Sequence, residues 1–202
     1  MPTYDAPATP RSLYFGPTGA ALPRMDGKTV AVTGCTTGTG FALAKWCAEQ
    51  GATVIMLNRP SDRATAALSE VERAGPGRAR HINCDLSSFA SVRQAATDVH
   101  SLVKDGLDAL CNNAGVMALK DVATVDGYDI QMQTNHFGHF LLTAELMPLL
   151  EAAAEARGDA RVVNHASDAR KMVWSLCEAN LEKRGGNLGG DAPGRLFIPF
   201  SG

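Results

Sequence analysis

The sequence lacks the features of a nucleic-acid-binding or membrane-spanning protein. It has no excess of one charge, with 19 Lys and Arg against 21 Asp and Glu and a formal net charge of −2. A general nucleic-acid binder needs a basic excess, so we expect no such partner. Its longest apolar stretches, such as residues 140–150, are interrupted by polar residues and fall short of the roughly 20 residues that span a bilayer. The remaining composition favours one globular domain that binds small molecules.

Cysteine is scarce and unpatterned. The five cysteines, Cys35, Cys47, Cys84, Cys111 and Cys177, are odd in number and include neither a CxxC pair nor a His/Cys cluster. This pattern indicates free thiols packed as small apolar side chains, and it favours a reducing cytoplasmic location, with an organelle as the open alternative. It predicts no metal site.

The amino terminus has no targeting signal that the sequence reveals. Residues 1–27 are rich in proline but lack both the apolar core of a secretory signal and a strong amphipathic transit pattern. We expect an irregular leader here, either packed on the protein or extending from it. Residues 28–202 then form a single nucleotide-binding domain.

Short β-branched runs alternate with longer helical segments. The predicted strands are residues 29–33, 53–57, 80–84, 109–112 and 161–165, and the predicted helices are 40–50, 61–74, 88–104 and 128–156. Apolar strands separated by helices favour an α/β fold: a Rossmann-type, doubly wound parallel sheet in three α/β/α layers. Ligands bind such sheets outside the carboxyl ends of the strands. Five strands leave the architecture incomplete at its C-terminal side, since a sixth usually closes the crevice.

A glycine-rich turn joins the first strand to the first helix. Its residues are Gly34, Cys35, Thr36, Thr37, Gly38, Thr39 and Gly40. Glycines allow a tight reversal and a close approach of ligand to backbone, and a helix N-terminus attracts a pyrophosphate. The spacing Gly-x-x-x-Gly-x-Gly differs from the commonest dinucleotide fingerprint, and a purely structural turn is the alternative. The strand before it and the helix after it favour nucleotide binding.

The ends of the second and third strands indicate which nucleotide is bound. The second strand ends at Asn58 and Arg59, where an NAD site would carry a carboxylate for the ribose hydroxyls. A guanidinium instead suits a 2′-phosphate, so NADP(H) is preferred and NAD(H) is the alternative. Arg59 could equally be a solvated loop residue. Asp85 and Leu86 follow the third strand near the expected adenine pocket, although Asp85 could instead cap the next helix.

Several segments together resemble the short-chain dehydrogenase/reductase family. They are the glycine turn, the run Asn112-Asn113-Ala114-Gly115-Val116-Met117 after the fourth strand, and Asn135 in the last helix. Residues 126–128 and 133–143 are especially similar to its retinol-dehydrogenase-like and light-dependent protochlorophyllide-reductase-like branch. The resemblance covers about residues 28–191. It implies that Asn113, Ala114 and Gly115 also contact the cofactor.

The resemblance implies an active site that only part of this sequence matches. In the family, hydride passes between nicotinamide and a substrate carbon, a serine polarises the substrate oxygen, and an asparagine organises a water relay. Ser167 and Asn135 match the serine and the asparagine. A helix cap is the alternative for Ser167, and a buried structural amide is the alternative for Asn135. His136 and His139 are better interpreted as packed or hydrogen-bonded residues than as a metal pair.

The tyrosine and lysine of the family are missing. There the tyrosine is the proton donor or acceptor, and a lysine four residues later lowers its pKa and binds the ribose. The only tyrosines here are Tyr4, Tyr14 and Tyr128, all before Ser167. We therefore expect a carboxyl-truncated member of the family. Its fifth strand should be an exposed apolar edge, so that the chain aggregates, dimerises through that surface or needs its missing half.

Together these observations predict an NADP(H)-dependent oxidoreductase that interconverts an alcohol and a carbonyl. Its partner is a small apolar carbonyl or alcohol substrate, and a homo-oligomer is open. Without the tyrosine and lysine, catalysis should be impaired or absent. The alternatives are a non-catalytic module that binds NADPH or dimerises, and a fragment without function of its own.

Overall fold

Five parallel strands form one sheet in the computed structural model, which describes residues 22–120, 122–168 and 181–183. The strands are β1 (Thr29–Thr33), β2 (Thr53–Asn58), β3 (Ala79–Asn83), β4 (Ala109–Asn112) and β5 (Arg161–Asn164). The helices are α1 (Gly38–Glu49), α2 (Asp62–Ala74), α3 (Phe89–Leu102), α4 (Ile130–Met132) and α5 (Gly138–Arg157), with a π-helical turn at Gln133–Phe137 between the last two. The predicted alternation of strands and helices is confirmed, with ends shifted by one or two residues for most elements.

The strand order is β3-β2-β1-β4-β5, with every neighbouring pair parallel. The chain therefore winds outward in one direction from β1 to β3, and then returns to the other side of β1 at β4. This confirms the doubly wound fold. The reversal leaves a crevice outside the carboxyl ends of β1 and β4, which is where such sheets bind ligands.

Two apolar cores lie on opposite faces of the sheet. Alternate strand residues point to alternate faces, so Val30, Val32, Val54 and Met56 pack with residues of α1 and α2 on one side. Ala31, Ile55, Leu57 and Leu110 pack with residues of α3 and α5 on the other side. The three α/β/α layers follow directly from this alternation, because both faces of the inner strands are apolar.

A buried carboxylate joins the amino ends of β1 and β4. Asp108 accepts hydrogen bonds from the Thr29 N–H (2.8 Å), from Lys28 Nζ (3.0 Å) and from Arg157 Nε (2.7 Å). Burial by itself would raise the pKa of Asp108, but these hydrogen bonds outweigh it and hold that pKa below its ordinary value. Asp108 thus ties the two central strands to the end of α5, at the opposite end of the sheet from the crevice.

The last long helix is not the single element that the sequence predicts for residues 128–156. A π-helical turn widens it, and the Gly138 N–H donates to the Gln133 oxygen five residues earlier. Gly138 packs so closely on the next layer that a Cβ there would lie 2.5 Å from the Leu86 oxygen. Gln133 is fully buried and is held by Asp126 and Thr124. Such π-turns insert one residue and often lie at functional sites.

Strand β5 is the least buried strand of the sheet. All four of its residues are exposed, and Val163 keeps 50% of its surface accessible. Among the described residues, β5 pairs with β4 alone. The predicted exposed edge is therefore present in the part of the chain that the structure describes.

The thiols that the structure describes are packed as predicted, and only the end of the leader is described. Cys35, Cys47, Cys84 and Cys111 are free and buried, whereas Cys177 lies outside the described residues. Of the leader, residues 1–21 lie outside them as well, and Met25 packs against the α1 side of the core. None of the helices in the described ranges has the length and apolar character needed to cross a membrane.

Candidate cofactor site and active site

The three glycines of the turn meet three different requirements. Gly34 has φ +66°, and a Cβ there would lie 2.7 Å from the Cα of Ala114. Gly40 has no room either, because its Cβ would lie 2.2 Å from Asn113 Nδ2. Gly38 also has positive φ, +61°, but a Cβ there would meet no described atom within 4 Å. Gly34 and Gly40 therefore serve packing, whereas Gly38 faces open space at the crevice.

Helix α1 begins without a cap. Thr37 occupies its N-cap position but makes no side-chain cap hydrogen bond, and the first turn contains no acidic residue. In α2 and α3, by contrast, Ser61 and Ser88 accept hydrogen bonds from the backbone N–H groups of Ala64 and Ser91. The first amides of a helix carry partial positive charge and need acceptors. The start of α1 at the crevice is thus suited to an anionic ligand.

Asn113 fastens the turn after β4 to the glycine turn. Its Nδ2 donates to the backbone oxygens of Thr33 (2.9 Å) and Gly34 (3.2 Å), and its Oδ1 accepts from Thr39 Oγ1 (3.1 Å). His165 Nδ1 lies 3.0 Å from the same Oδ1. The side chain of Asn113 is therefore fully engaged in joining β1, α1 and β4. Ala114 and Gly115 follow at the crevice.

Asn58 supports the glycine turn from below. Its side chain is buried, and its Oδ1 accepts a hydrogen bond from the Cys35 N–H at 2.8 Å. The Cys35 thiol donates to the Val32 oxygen at 3.3 Å, and burial raises the pKa of this thiol to about 11. Cys35 is therefore a neutral packing group at neutral pH. The contact explains why an asparagine ends β2.

Two arginines beyond β2 have no acidic partner among the described residues. Arg59 and Arg63 are exposed, and no ion pair joins either to a carboxylate within the described ranges. The other arginines there all pair with carboxylates: Arg24, Arg73, Arg78, Arg80, Arg93, Arg157 and Arg161. The segment after β2 is thus electropositive and available to a phosphate.

The segment after β3 is shaped by short-range hydrogen bonds. Asp85 Oδ1 accepts from the Ser87 N–H (2.9 Å) and from Ser87 Oγ (2.6 Å). Ser88, not Asp85, is the side-chain cap of α3, so the cap alternative for Asp85 is wrong. Asp126 Oδ2 accepts from the first N–H of that helix, at Phe89. The side chain of Leu86 is buried in the core.

Asn135 lies in the π-turn and contacts the loop that leaves the crevice. Its side chain forms two hydrogen bonds with the backbone of Val116, and its backbone oxygen lies 3.1 Å from His139 Nδ1. His139 is buried and lies 2.8 Å from Thr33 Oγ1, so the prediction of a hydrogen-bonded histidine is confirmed. His136 is exposed, with its ring beside Phe137 and Phe140.

A pocket of about 320 Å³ separates α5 from β5. Its lining residues are mostly polar: Asn112, Asn135, His136, His139, Thr143, Asn164 and His165, with Phe140 and Val162. Asn112 Nδ2 donates to Thr143 and Asn164, while its buried Oδ1 has no partner among the described residues. Sequence reasoning missed this polar cluster, because its members come from three distant segments. Ser167 lies exposed, three residues beyond the end of β5.

The crevice fits a dinucleotide. It combines an uncapped helix N-terminus, an open glycine at Gly38 and two unpaired guanidiniums, which are groups that bind phosphates. A metal would need a cluster of histidine, cysteine or carboxylate ligands, and the described residues contain no such group. The fold and the site together therefore define a nucleotide-binding α/β protein.

Comparison with known proteins identifies the family. Residues 28–179 match the family described as short chain dehydrogenase, so the chain belongs to the short-chain dehydrogenase/reductase family. It is similar to retinol dehydrogenase 13 of Homo sapiens, with 38% identity over 69% of this chain and 43% of that protein. The chain spans about half the length of the curated relatives it matches.

Two solved structures show the same fold with different cofactors. The RhlG/NADP active-site complex of Pseudomonas aeruginosa has a TM-score of 0.59 and 32% identity, over 69% of this chain and 54% of that one. An NADH-dependent reductase, A1-R′, complexed with NAD has a TM-score of 0.63 and 27% identity, over 75% and 64% of the two chains. The family cofactor is therefore a nicotinamide dinucleotide, and both forms occur among the relatives.

Proposed function

We propose that this chain binds NADP(H) in preference to NAD(H) and belongs to an oxidoreductase that interconverts an alcohol and a carbonyl on a small apolar substrate. The observation that carries the cofactor preference is that Arg59 and Arg63, beyond β2, form no ion pair within the described ranges. No carboxylate stands at the end of β2 to accept from ribose hydroxyls. A guanidinium there can hold a 2′-phosphate with charge-assisted hydrogen bonds.

The remaining contacts follow the geometry of the crevice. The amides of Thr37, Gly38, Thr39 and Gly40 would receive the pyrophosphate at the uncapped start of α1, with Gly34 and Thr36 shaping the turn before it. Asn58 would act by holding the turn at Cys35. Asp85 and the backbone of Leu86 would border the adenine, and Asn113, Ala114 and Gly115 would border the nicotinamide ribose.

An apolar substrate is supported by the loop that follows Gly115. Four of its large apolar side chains are exposed: Met117, Leu119, Val122 and Val125. Single exposed apolar residues are ordinary, but a group of this size in nine residues beside a cofactor crevice favours an apolar ligand. Retinol dehydrogenase 13 is named for such an alcohol.

The protein's own groups would orient and polarise the substrate. A bound nicotinamide supplies or accepts the hydride, which leaves binding and electrostatics to the protein. The Ser167 hydroxyl would donate a hydrogen bond to the substrate oxygen, and Asn135 would hold the loop that borders it. The sequence has no tyrosine after Ser167. A missing general acid typically costs a factor of about 10² to 10⁴, so we expect this chain alone to turn over slowly.

Fluorescence titration with NADPH and NADH tests the proposal. NADPH should bind saturably and at least about tenfold more tightly than NADH, since one charge-assisted contact contributes about 1.5–3 kcal/mol. Equal affinities would overturn the preference, and no saturable binding of either would overturn the cofactor site. Turnover of small apolar aldehydes that a Ser167→Ala variant retains would show that another residue supplies the proton.

A further inference from the structure

His139 connects three parts of the candidate cofactor site. The residue is buried, with only 6% of its surface exposed. Nε2 lies 2.8 Å from Thr33 Oγ1, at the end of β1, and Nδ1 lies 3.1 Å from the backbone oxygen of Asn135, in the π-turn. Sequence analysis assigned this histidine to packing or hydrogen bonding and gave it no role in binding.

The two contacts fix the protonation state of the ring. A backbone oxygen can only accept, so Nδ1 must carry a proton to bond with Asn135. Thr33 Oγ1 also accepts hydrogen bonds from the N–H groups of Asn113 (2.9 Å) and Ala114 (3.0 Å). These two bonds use both lone pairs of the hydroxyl oxygen, which can therefore bond to Nε2 only as the donor. Nε2 must then be unprotonated, and the ring is neutral.

A charged His139 is incompatible with this arrangement. Protonation would place a second N–H against Thr33 Oγ1, whose lone pairs already hold the turn after β4. The hydroxyl proton could turn toward the Cys111 oxygen at 3.4 Å, but that rotation gives the oxygen no third lone pair. Either the imidazolium loses its partner in a buried site, or Asn113 and Ala114 lose theirs.

We propose that His139 is a positioning residue of the cofactor site, which holds the turn Asn113-Ala114 against the glycine turn through the Thr33 hydroxyl only while its ring is neutral. Acid would then release the turn and weaken cofactor binding. The inference rests on the proposed cofactor, because the turn is expected to border the nicotinamide ribose. His139 would touch no substrate or cofactor itself.

The groups around His139 agree with the direction of this effect. Burial lowers the pKa of His139 and outweighs the hydrogen bond to the Asn135 oxygen, which raises it, and the neighbouring His136 lowers it further. The titratable groups on the facing elements are Cys111 on β4, whose thiol pKa is raised by burial, and His165 beyond β5, which lines the same pocket. His165 Nδ1 faces Asn113 Oδ1, which accepts a hydrogen bond from Thr39 Oγ1 and has no lone-pair conflict of the kind found at Thr33. The acid-sensitive contact is therefore at His139.

Binding of NADP⁺ to the full chain from pH 8 to 4.5, by isothermal titration calorimetry, tests the inference. His139→Gln keeps an acceptor for Thr33 and a donor for Asn135 but cannot take up a proton. An ordinary histidine has a pKa of about 6.5. As the pH falls below that value, the ratio of wild-type to His139→Gln affinity should decrease about tenfold. Taking the ratio cancels titration of the 2′-phosphate itself. His136→Gln should keep the fall in affinity but move it to higher pH, because His136 lowers the pKa of His139. His100→Gln, on α3 and bonded to the Glu145 oxygen, should keep the wild-type profile.

The outcomes separate the inference from the proposed function. An absence of saturable NADP⁺ binding by the wild type at pH 7.5 overturns the cofactor site, and this inference with it. If wild type and His139→Gln bind NADP⁺ and lose affinity equally at low pH, the inference is overturned and the proposed cofactor site stands. If His139→Gln fails to fold, imidazole ¹⁵N NMR of the unliganded wild type decides. A neutral His139 ring protonated on Nδ1 supports the inference, whereas protonation on Nε2 at pH 7 overturns it.

Discussion

The side-chain amide of Asn135 binds both polar backbone atoms of Val116. Oδ1 accepts from the Val116 N–H at 2.8 Å, and Nδ2 donates to the Val116 oxygen at 2.8 Å. The π-turn is therefore coupled to the start of the loop that carries Met117 and Val125, which are 61% and 86% exposed. With its side chain engaged in this way, Asn135 is better suited to position the loop than to react.

Replacing Asn135 with alanine should loosen this loop and leave the core intact. Two hydrogen bonds in an exposed setting contribute about 1 kcal/mol in total, so global stability should change little. Amide hydrogen exchange should rise at residues 116–125 and stay unchanged in β1 and β4. Gln131→Ala is the matched control, since Gln131 makes no side-chain hydrogen bond within the described ranges. Unchanged hydrogen exchange at residues 116–125 in Asn135→Ala would show that the hydrogen bonds from Asn135 to Val116 are not needed to order the loop.

Alanine at Gly38 should mainly weaken cofactor binding, whereas alanine at Gly40 should mainly lower stability. At Gly38 the new methyl group meets no atom of the part of the chain that the structure describes, so we expect a cost from the positive φ alone, about 1 kcal/mol. The methyl group would project into the crevice, and NADPH affinity should fall at least about tenfold. At Gly40 the methyl group would overlap Asn113, so urea unfolding should show a loss of about 2 kcal/mol or more. A Gly38→Ala protein that binds NADPH normally would contradict the site.

Alanine at Arg59 should reduce the preference for NADPH over NADH. The guanidinium has no protein partner in the described ranges, so its removal should leave the unfolding free energy within about 0.5 kcal/mol. NADPH affinity should fall about tenfold or more, while NADH affinity should hardly change. Arg63→Ala should act in the same direction. Arg73→Ala, on the same helix as Arg63 but paired with Glu70, should leave both affinities unchanged.

Asp108 should make the unfolding free energy depend on pH in the acid range. Because hydrogen bonds from its partners lower its pKa in the folded state, its stabilisation is fully present above the unfolded value of about 3.9. The stabilisation is lost as the pH falls from there through the folded pKa. Asp108→Asn should lower the unfolding free energy at pH 7 by about 2 kcal/mol, since Arg157 loses its carboxylate. Urea titrations of both proteins should converge below pH 3. A constant difference from pH 7 to pH 3 would assign the loss to packing.

Local sequence was sufficient for most of the fold. The apolar runs of β1, β2 and β4 predicted these strands closely, because propensity and burial agree there. The π-turn at Gln133–Phe137 was not predictable. It depends on the packing of Gly138 against Leu86 and on the burial of Gln133 among Asp126 and Thr124. These contacts join residues whose spacing in the sequence follows neither the helix repeat nor the strand repeat.

The position of the cofactor crevice was predictable from the sequence. The hydrogen bonds that hold its turns in place were not. Gly38 and Arg59 stand next to strand ends, so their exposure at the crevice follows from the order of strands and helices. The roles of Asn58, Asn113 and His139 became evident only from partners that are 23, 80 and 106 positions away.

The amino-acid order alone determined that this chain folds as a doubly wound sheet with a glycine turn before its first helix. Periodicity and turn chemistry act between near neighbours, and these are written directly in the sequence. The tertiary structure alone decided which polar atoms saturate one another, and therefore that His139 is neutral and that Asn135 holds Val116. Hydrogen bonds of this kind depend on distances between elements, which exist only once the sheet has brought its strand ends together.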